Sequence, residues 1–332
     1  MKTLLFEALS RLGIPRKFHK VVRRRSVSIL MYHGVIKERF TVSDWCLMSV
    51  TRFRQQMQYL KEYFEVIQLT DALGYSPKER PAVAITFDDG FRNNFSLAYP
   101  ILKELKFPAT VFIVTNLVDS EDTVWFCRLH EALSSTNLES AVLGGKTYDL
   151  RTVTAKELAN AELQQSLKQF PQNELTTRME AIVTALGGNP RKSIPLESPY
   201  SMLRRSEIRE MVSSGLIEIG AHTMSHAILS RLTDKERRSE ISGSIAKVSD
   251  MSGAPCRLFA YPNGRLQDFG DLDEAILREN GVVAAVSTVA GPIFSNANPF
   301  RLRRYGIGAD AGLGEFETTV HNLKWYLSRW KY

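Results

Sequence analysis

Seven short runs of near-uniform apolarity recur along the chain, at residues 27–32, 65–69, 82–87, 109–114, 216–220, 257–261 and 282–287. Stretches with helical periodicity lie between many of them, at 50–63, 95–105, 206–213, 234–251 and 271–280. Strands that alternate with helices and are apolar on both faces belong in a mostly parallel sheet covered by helices. The fold class is therefore α/β. About seven such units suit a closed or nearly closed barrel as well as an open, doubly wound sheet.

Residues 119–200 interrupt this alternation. They hold Trp125, several polar helical stretches and the loop signal Gly187-Gly188-Asn189-Pro190, and read as a helical insertion between two barrel units. The expected organisation is an N-terminal segment, 1–26, followed by a body spanning 27–332 into which 119–200 is inserted.

The net charge of +7 sits at one end. Residues 1–30 carry eight Lys or Arg against Glu7 alone, so the rest of the chain is formally neutral. That distribution gives no case for a nucleic-acid-binding surface, and no nucleic-acid partner is expected. Leu4, Leu5, Ala8, Leu9 and Leu12 share one side of a helix. Two readings stay open: an amphipathic helix that rests, with Arg23-Arg24-Arg25, on an anionic membrane through residues 1–25, or a basic helix packed on the domain by its apolar side. The apolar part is too short for a signal peptide, is broken by Glu7 and lacks a small-residue cleavage site. No run is long and apolar enough to span a bilayer. Cys46, Cys127 and Cys256 make no CxxC pair and no zinc signature, and read as reduced, partly buried side chains. A cytoplasmic chain is expected, at the inner membrane face if the basic helix is used that way.

The chemistry concentrates where apolar runs end. Residues 82–87 empty into Asp88-Asp89-Gly90, two adjacent carboxylates and a glycine that permits a sharp turn. In an α/β barrel functional groups collect at the carboxyl ends of strands. Adjacent carboxylates repel unless a cation binds there, and a divalent metal would leave one aspartate as ligand and its neighbour free to take a proton. A polar strand cap would need only one Asp. Residues 216–220 likewise empty into Ala221-His222-Thr-Met-Ser-His226. Histidines four apart share a face on a helical turn, and with a carboxylate from elsewhere they make a three-ligand site with open positions. The chain has only six histidines, which favours a ligand pair over two unrelated side chains. Tyr261-Pro262-Asn263-Gly264 is a turn whose backbone N–H groups can face a developing oxyanion. His33 ends the first strand in the same layer, where a structural role and a catalytic one are evenly balanced.

Thr86-Phe-Asp-Asp-Gly90 and His222-Thr-Met-Ser-His226 together resemble the first two motifs of the carbohydrate esterase family 4 polysaccharide deacetylases, which share the NodB homology domain. The similarity covers about residues 27–118 and 201–290. It implies a distorted (β/α) barrel and a divalent metal, often zinc, that assists removal of an acetyl group from an N-acetylated sugar. The resemblance gives Asp88 the role of general base, makes Asp89, His222 and His226 the metal ligands, and puts Tyr261, Pro262 and Asn263 at the substrate or oxyanion. Two departures stand out. The family's third motif, Arg-x-Pro-Tyr, is replaced by Ala260-Tyr-Pro-Asn263, so the arginine that contacts the base is missing, and Arg257, Arg303 or Arg304 must stand in. The late Leu-x-His motif that supplies the acid has no match, since His321 lies in a helical stretch. Leu30-Met-Tyr-His33 and the following residues 50–60 resemble the branch of biofilm poly-β-1,6-N-acetylglucosamine deacetylases, whose acid histidine sits on an N-terminal Met-Tyr-His strand; that resemblance makes His33 the general acid. The implied substrate is an N-acetylated glycan, or a lipid-linked saccharide if the chain works at a membrane face. The competing expectation is a metal- or glycan-binding member of the fold without turnover.

Overall fold

The computed structural model describes residues 2–22, 26–75 and 80–329. Arg23–Arg25, part of the basic cluster invoked for membrane contact, lie outside the described residues. Nine strands form the main sheet: β1 Ser26–Tyr32, β2 Glu65–Ile67, β3 Ala82–Phe87, β4 Ala109–Ile113, β5 Ile217–Ala221, β6 Leu258–Ala260, β7 Ala284–Val286, β8 Ile293–Phe294 and β9 Tyr305–Gly306. The order is β7-β6-β5-β4-β3-β1-β8, with β2 also on β3 and β9 also on β1. All the pairings are parallel except β1 with β8. The sheet is curled as a distorted (β/α) barrel. Its loose seam is the segment after residue 300. Leu302 bridges to Val286 of β7, and Tyr305 and Gly306 then pair with Leu30 and Met31 of β1. One stretch of chain thus spans the two edges.

Strand parity explains the two faces. Leu30, Tyr32, Val83, Ile85, Phe87, Val111 and Ile219 belong to the cluster packed beneath the helices. Ile29, Ala82, Ala84, Phe112, Ala260 and Ala284 fill the concave side. Alanines at 82, 84, 260 and 284 suit a curled sheet that leaves little room inside. A Cβ on Gly220 would meet the Phe112 ring at 2.5 Å. Period two carries Ala82, Ala84, Thr86 and Asp88 onto that same inner side.

Register then fixes the layer of the site. Tyr32 lies opposite Phe87, so His33 and Asp88 leave the sheet at one level. Ile113 lies opposite Ala221, and Ala221 opposite Phe259, which brings His222 and the 261–264 turn to that level too.

The described part of 119–200 contains the helices Trp125–Ser135, Val153–Leu167 and Gln172–Ala185 and a hairpin, Ser140–Leu143 with Lys146–Asp149. The hairpin departs from the all-helical expectation. Gly144 and Gly145 form its two-residue turn, with φ of 59° and 85°, the left-handed pair a type I′ turn demands. This region has its own hydrophobic cluster, including Leu129, Leu163, Leu175, Met179 and Tyr200.

The described N-terminal residues pack on the domain, but not by the apolar side expected: Leu5 and Leu12 are exposed, and Glu7 is the residue that meets the domain. Helix Lys2–Arg11 lies so close to helix Leu313–Val320 that a Cβ on Gly314 would meet the Glu7 backbone at 2.8 Å. Glu7 also accepts the Gly314 N–H at 3.1 Å. No helix among the described residues is long and apolar enough to cross a membrane.

Candidate metal centre

Asp88 and Asp89 turn in different directions because the backbone changes hand between them. Asp89 has φ of 73° and Gly90 of 80°. A Cβ on Gly90 would meet Ile113 Cγ2 at 2.9 Å, so glycine is required on both counts. Thr223, His226 and Asn263 also have φ near 60°, so four of the seven non-glycine residues with positive φ among the described residues lie in or beside this one site. Each such residue costs about 1–3 kcal/mol, a strain that recurs at functional sites.

Asp89, His222 and His226 converge, with one donor atom from each lying within 4.8 Å of the others. His222 Nε2 is 3.6 Å and His226 Nε2 3.3 Å from Asp89 Oδ1. The convergence does not use the helical turn expected from the spacing of four. Residues 222–228 are loop, and the left-handed kinks at Thr223 and His226 bring the second imidazole back. Glu240 pins this loop, accepting from Met224 N–H at 2.7 Å, Ser225 N–H at 3.0 Å and Ser225 Oγ at 2.7 Å.

The donor set fits a divalent cation. Both Asp89 oxygens are buried without a hydrogen-bond partner, a condition that costs several kcal/mol for a charged group. His222 Nδ1 sits 2.7 Å from the Ala260 carbonyl oxygen, so Nδ1 carries the proton and Nε2 turns a lone pair toward the carboxylate. Burial, with a further push from Lys168, lowers His226 to about 4, and burial lowers His222 as well. A neutral imidazole lone pair facing a carboxylate, as at His222, is repulsive unless a cation lies between them. A second group of potential ligands, Asp44, Cys46 and Cys127, lacks that signature. Asp44 accepts from Cys46 N–H, Cys46 Sγ and Tyr200 Oη at 3.1, 3.1 and 2.8 Å. All three cysteines are free and buried, as expected.

Asp88 has its arginine. Arg304, wholly buried, reaches it from the seam with two bonds of 2.7 Å, and also donates to Thr86 Oγ1 and the Ser287 carbonyl. Burial would raise the Asp88 carboxyl, but the guanidinium outweighs it and holds the group at about 2. The other two candidates do not serve: Arg303 donates to the Ala290 carbonyl, and Arg257 is exposed.

His33 lines the same pocket of about 220 Å³ as Asp88, Asp89, His222 and His226. Its ring meets Trp45 edge-on at 4.8 Å. Asn94 donates to its carbonyl at 2.6 Å, Asn93 accepts the Val35 N–H at 2.9 Å, and Asp88 N–H bonds the Tyr32 carbonyl at 2.9 Å. The residues just after Asp88–Gly90 thus hold the His33 strand end in place. His321 is not among the pocket's lining and bonds Tyr59 at 2.9 Å.

Of the three turn residues expected near the oxyanion, the structure leaves one with a donor. The Tyr261 N–H bonds the Val286 carbonyl at 3.2 Å and its hydroxyl the Phe300 carbonyl at 3.0 Å, with the ring stacked on Phe269. Pro262 has no N–H. The Asn263 N–H has no partner among the described residues, and Asn263 lines the pocket. Lys168, Trp125 and Phe126, all from the insertion, also line it. Trp125 stands out in the sequence as the tryptophan of the insertion, whereas nothing in the local sequence marks Lys168 or Phe126.

A curled parallel sheet with a strained Asp–His–His cluster at the carboxyl ends of its strands defines a (β/α) barrel with a candidate metal site. The chain belongs to the polysaccharide deacetylase family, whose model matches residues 75–284. It is 24% identical over 240 residues to poly-β-1,6-N-acetyl-D-glucosamine N-deacetylase of Staphylococcus epidermidis, covering 65% of this chain and 73% of that protein. It is 37% identical over 116 residues to the protein of that name in Staphylococcus aureus (strain N315), covering 30% of this chain and only 40% of the length of that relative. Among solved structures, Streptococcus pyogenes deacetylase PplD in complex with acetate matches with a TM-score of 0.59 at 17% identity, over 89% of this chain and 98% of that one. IcaB from Ammonifex degensii matches with a TM-score of 0.56 at 19% identity, over 90% and 98%. At these identities the structural likeness shows the fold.

Proposed function

We propose that the chain removes an acetyl group from an N-acetylated sugar of a glycan or glycan precursor, with a divalent metal held by Asp89, His222 and His226. The observation that carries this is the buried, unpartnered Asp89 carboxylate facing two imidazole nitrogens, next to a second carboxylate locked by Arg304. A set of two nitrogens and one oxygen suits zinc. When bound, such an ion supplies Lewis acidity toward the acetyl carbonyl and makes a nearby water a better nucleophile.

The chain's own residues account for the other steps. Asp88 accepts the proton of the attacking water, its free lone pairs aimed by the two guanidinium bonds. A carboxylate held at about 2 stays ionised throughout the working range, so it is always ready to accept, although it is a weak base. The Asn263 N–H is the backbone donor available to the developing oxyanion. His33, across the pocket, gives a proton to the departing amine. Trp45, 45% exposed, offers an apolar face to a sugar ring.

A binding module without turnover was the competing reading, motivated by the motif arginine missing from the sequence. Arg304 fills that role, which favours turnover. The test is acetate release from N-acetylglucosamine oligosaccharides by the zinc-loaded protein. Release that stops with a chelator and in Asp88→Asn supports the reading, while no release from neutral, acidic or lipid-linked N-acetylated saccharides overturns it.

A further inference from the structure

Lys168 and Arg265 come to the catalytic pocket from two distant parts of the chain. Lys168 caps helix Val153–Leu167 in the insertion, and Arg265 follows the turn after β6. Both line the cavity that holds Asp89, His222 and His226. The insertion is tied down at this point: Gln172 donates to the Ser225 carbonyl at 3.4 Å and Arg231 to Gln169 Oε1 at 3.1 Å. The placement of Lys168 therefore belongs to the fold and not to a free surface chain.

Neither cationic head has a hydrogen-bond or ion-pair partner among the described residues, and the nearby acids are already committed. Asp88 is taken by Arg304, and Asp89 faces the two histidines. Asp268 accepts from Asn263 Nδ2 at 2.7 Å and from the Arg265 backbone N–H at 2.8 Å. Arg265 is exposed and Lys168 half-buried, whereas the buried Arg128 is paired with Asp122. The Lys168 ammonium is lowered by burial and then by Arg265 beside it. Asp268 and Asp89 act on Lys168 from a distance without pairing with it, so two like charges facing one pocket still favour an anion that enters between them.

We infer that Lys168 and Arg265 form an anion subsite of the catalytic pocket, so that the sugar deacetylated here carries a carboxylate or a phosphate on or next to its N-acetylated residue. The inference rests on the deacetylase reading and narrows it. A neutral polymer of N-acetylated sugars gains an ammonium with each acetyl removed, and two unpaired cations would repel that product. An acidic neighbour offsets the new charge and holds the chain in register.

The test compares acetate release by the zinc-loaded full chain from three probes. These are tetra-N-acetylchitotetraose, an oligosaccharide alternating N-acetylglucosamine with glucuronate, and an N-acetylchito-oligosaccharide bearing a terminal phosphate. At least one acidic probe is expected to exceed the neutral one in kcat/KM by about tenfold or more, the scale of one charge-assisted contact. Which one does so tells carboxylate from phosphate. The ratio should collapse toward one in Lys168→Gln/Arg265→Gln, and in wild type at about 1 M salt, where charges are screened beyond about 3 Å. Equal kcat/KM for all three probes, or a preference that survives the double variant, overturns the subsite. Titration of the metal-free protein with the same probes separates the two claims if no acetate appears. Acidic-probe binding that is lost in the double variant then supports the subsite while the deacetylase reading falls, and equal binding of neutral and acidic probes overturns the subsite.

Discussion

Arg304→Met removes the guanidinium that holds Asp88. Arg304 is fully buried and makes both bonds to Asp88 at 2.7 Å. Breaking a buried pair by deleting one partner costs about 3–5 kcal/mol, because the remaining charge is stranded. In wild type the Asp88 carboxyl is depressed to about 2, against about 3.9 in an unfolded chain. The unfolded state thus binds the proton more readily between those values. The pair contributes about 2–3 kcal/mol that is fully present above about pH 4 and is lost as pH falls toward 2. Without Arg304, burial is the dominant influence left and lifts the folded carboxyl above its unfolded value. The folded state then holds the proton more tightly, and stability falls as pH rises through the range above about 4. Urea unfolding in the presence of chelator, at a series of pH values, reads this directly. The expected result is a reversal in the sign of the pH slope, a loss of stability near neutrality, and recovery of most of that loss in Arg304→Met/Asp88→Asn. An unchanged slope in Arg304→Met, or a double variant less stable than the single one, would refute the reasoning. Acetate release should fall by about 10²-fold or more at neutral pH, since a protonated Asp88 cannot accept.

Further expectations follow from the same geometry. Asp88→Asn should bind metal with wild-type stoichiometry yet lose about 10²–10⁴-fold in kcat, as measured by acetate release alongside metal analysis. His33→Ala should slow hydrolysis of the amide far more than that of 4-nitrophenyl acetate, because a phenolate leaves without a proton; equal losses on both substrates would remove the acid role from His33. Gly90→Ala should lower the urea midpoint by more than the equivalent of about 1 kcal/mol, because its φ of 80° and the 2.9 Å approach to Ile113 Cγ2 both exclude a methyl group.

Those residues also show how much of the candidate site is legible in the sequence. Asp88, Asp89 and His222 were legible because each lies at the end of a mostly apolar run, and strand parity carries that local fact into the barrel. Strands β1 and β3 and helix Val50–Tyr63 fall where their hydrophobic pattern puts them. His226 was found through its spacing, yet the mechanism is a left-handed loop and not a helical turn, since backbone hand at a single residue leaves no periodic trace. Arg304 could only be named as one of three, because its partner lies 216 residues away and the seam segment that delivers it carries only the two-residue β9. Lys168 was invisible for a similar reason: an insertion with its own core meets the catalytic layer through tertiary packing. The Gly144-Gly145 hairpin did carry a turn signal, which the surrounding helical stretches masked.

The most direct test of the metal centre is anomalous diffraction at the zinc edge from crystals of the zinc-loaded protein, with equilibrium dialysis of the same sample. The account predicts one zinc per chain within about 2.2 Å of Asp89, His222 Nε2 and His226 Nε2, and loss of that zinc in Asp89→Asn and His226→Ala. Zinc bound instead at Cys46 and Cys127, or retained in full by both variants, would contradict it.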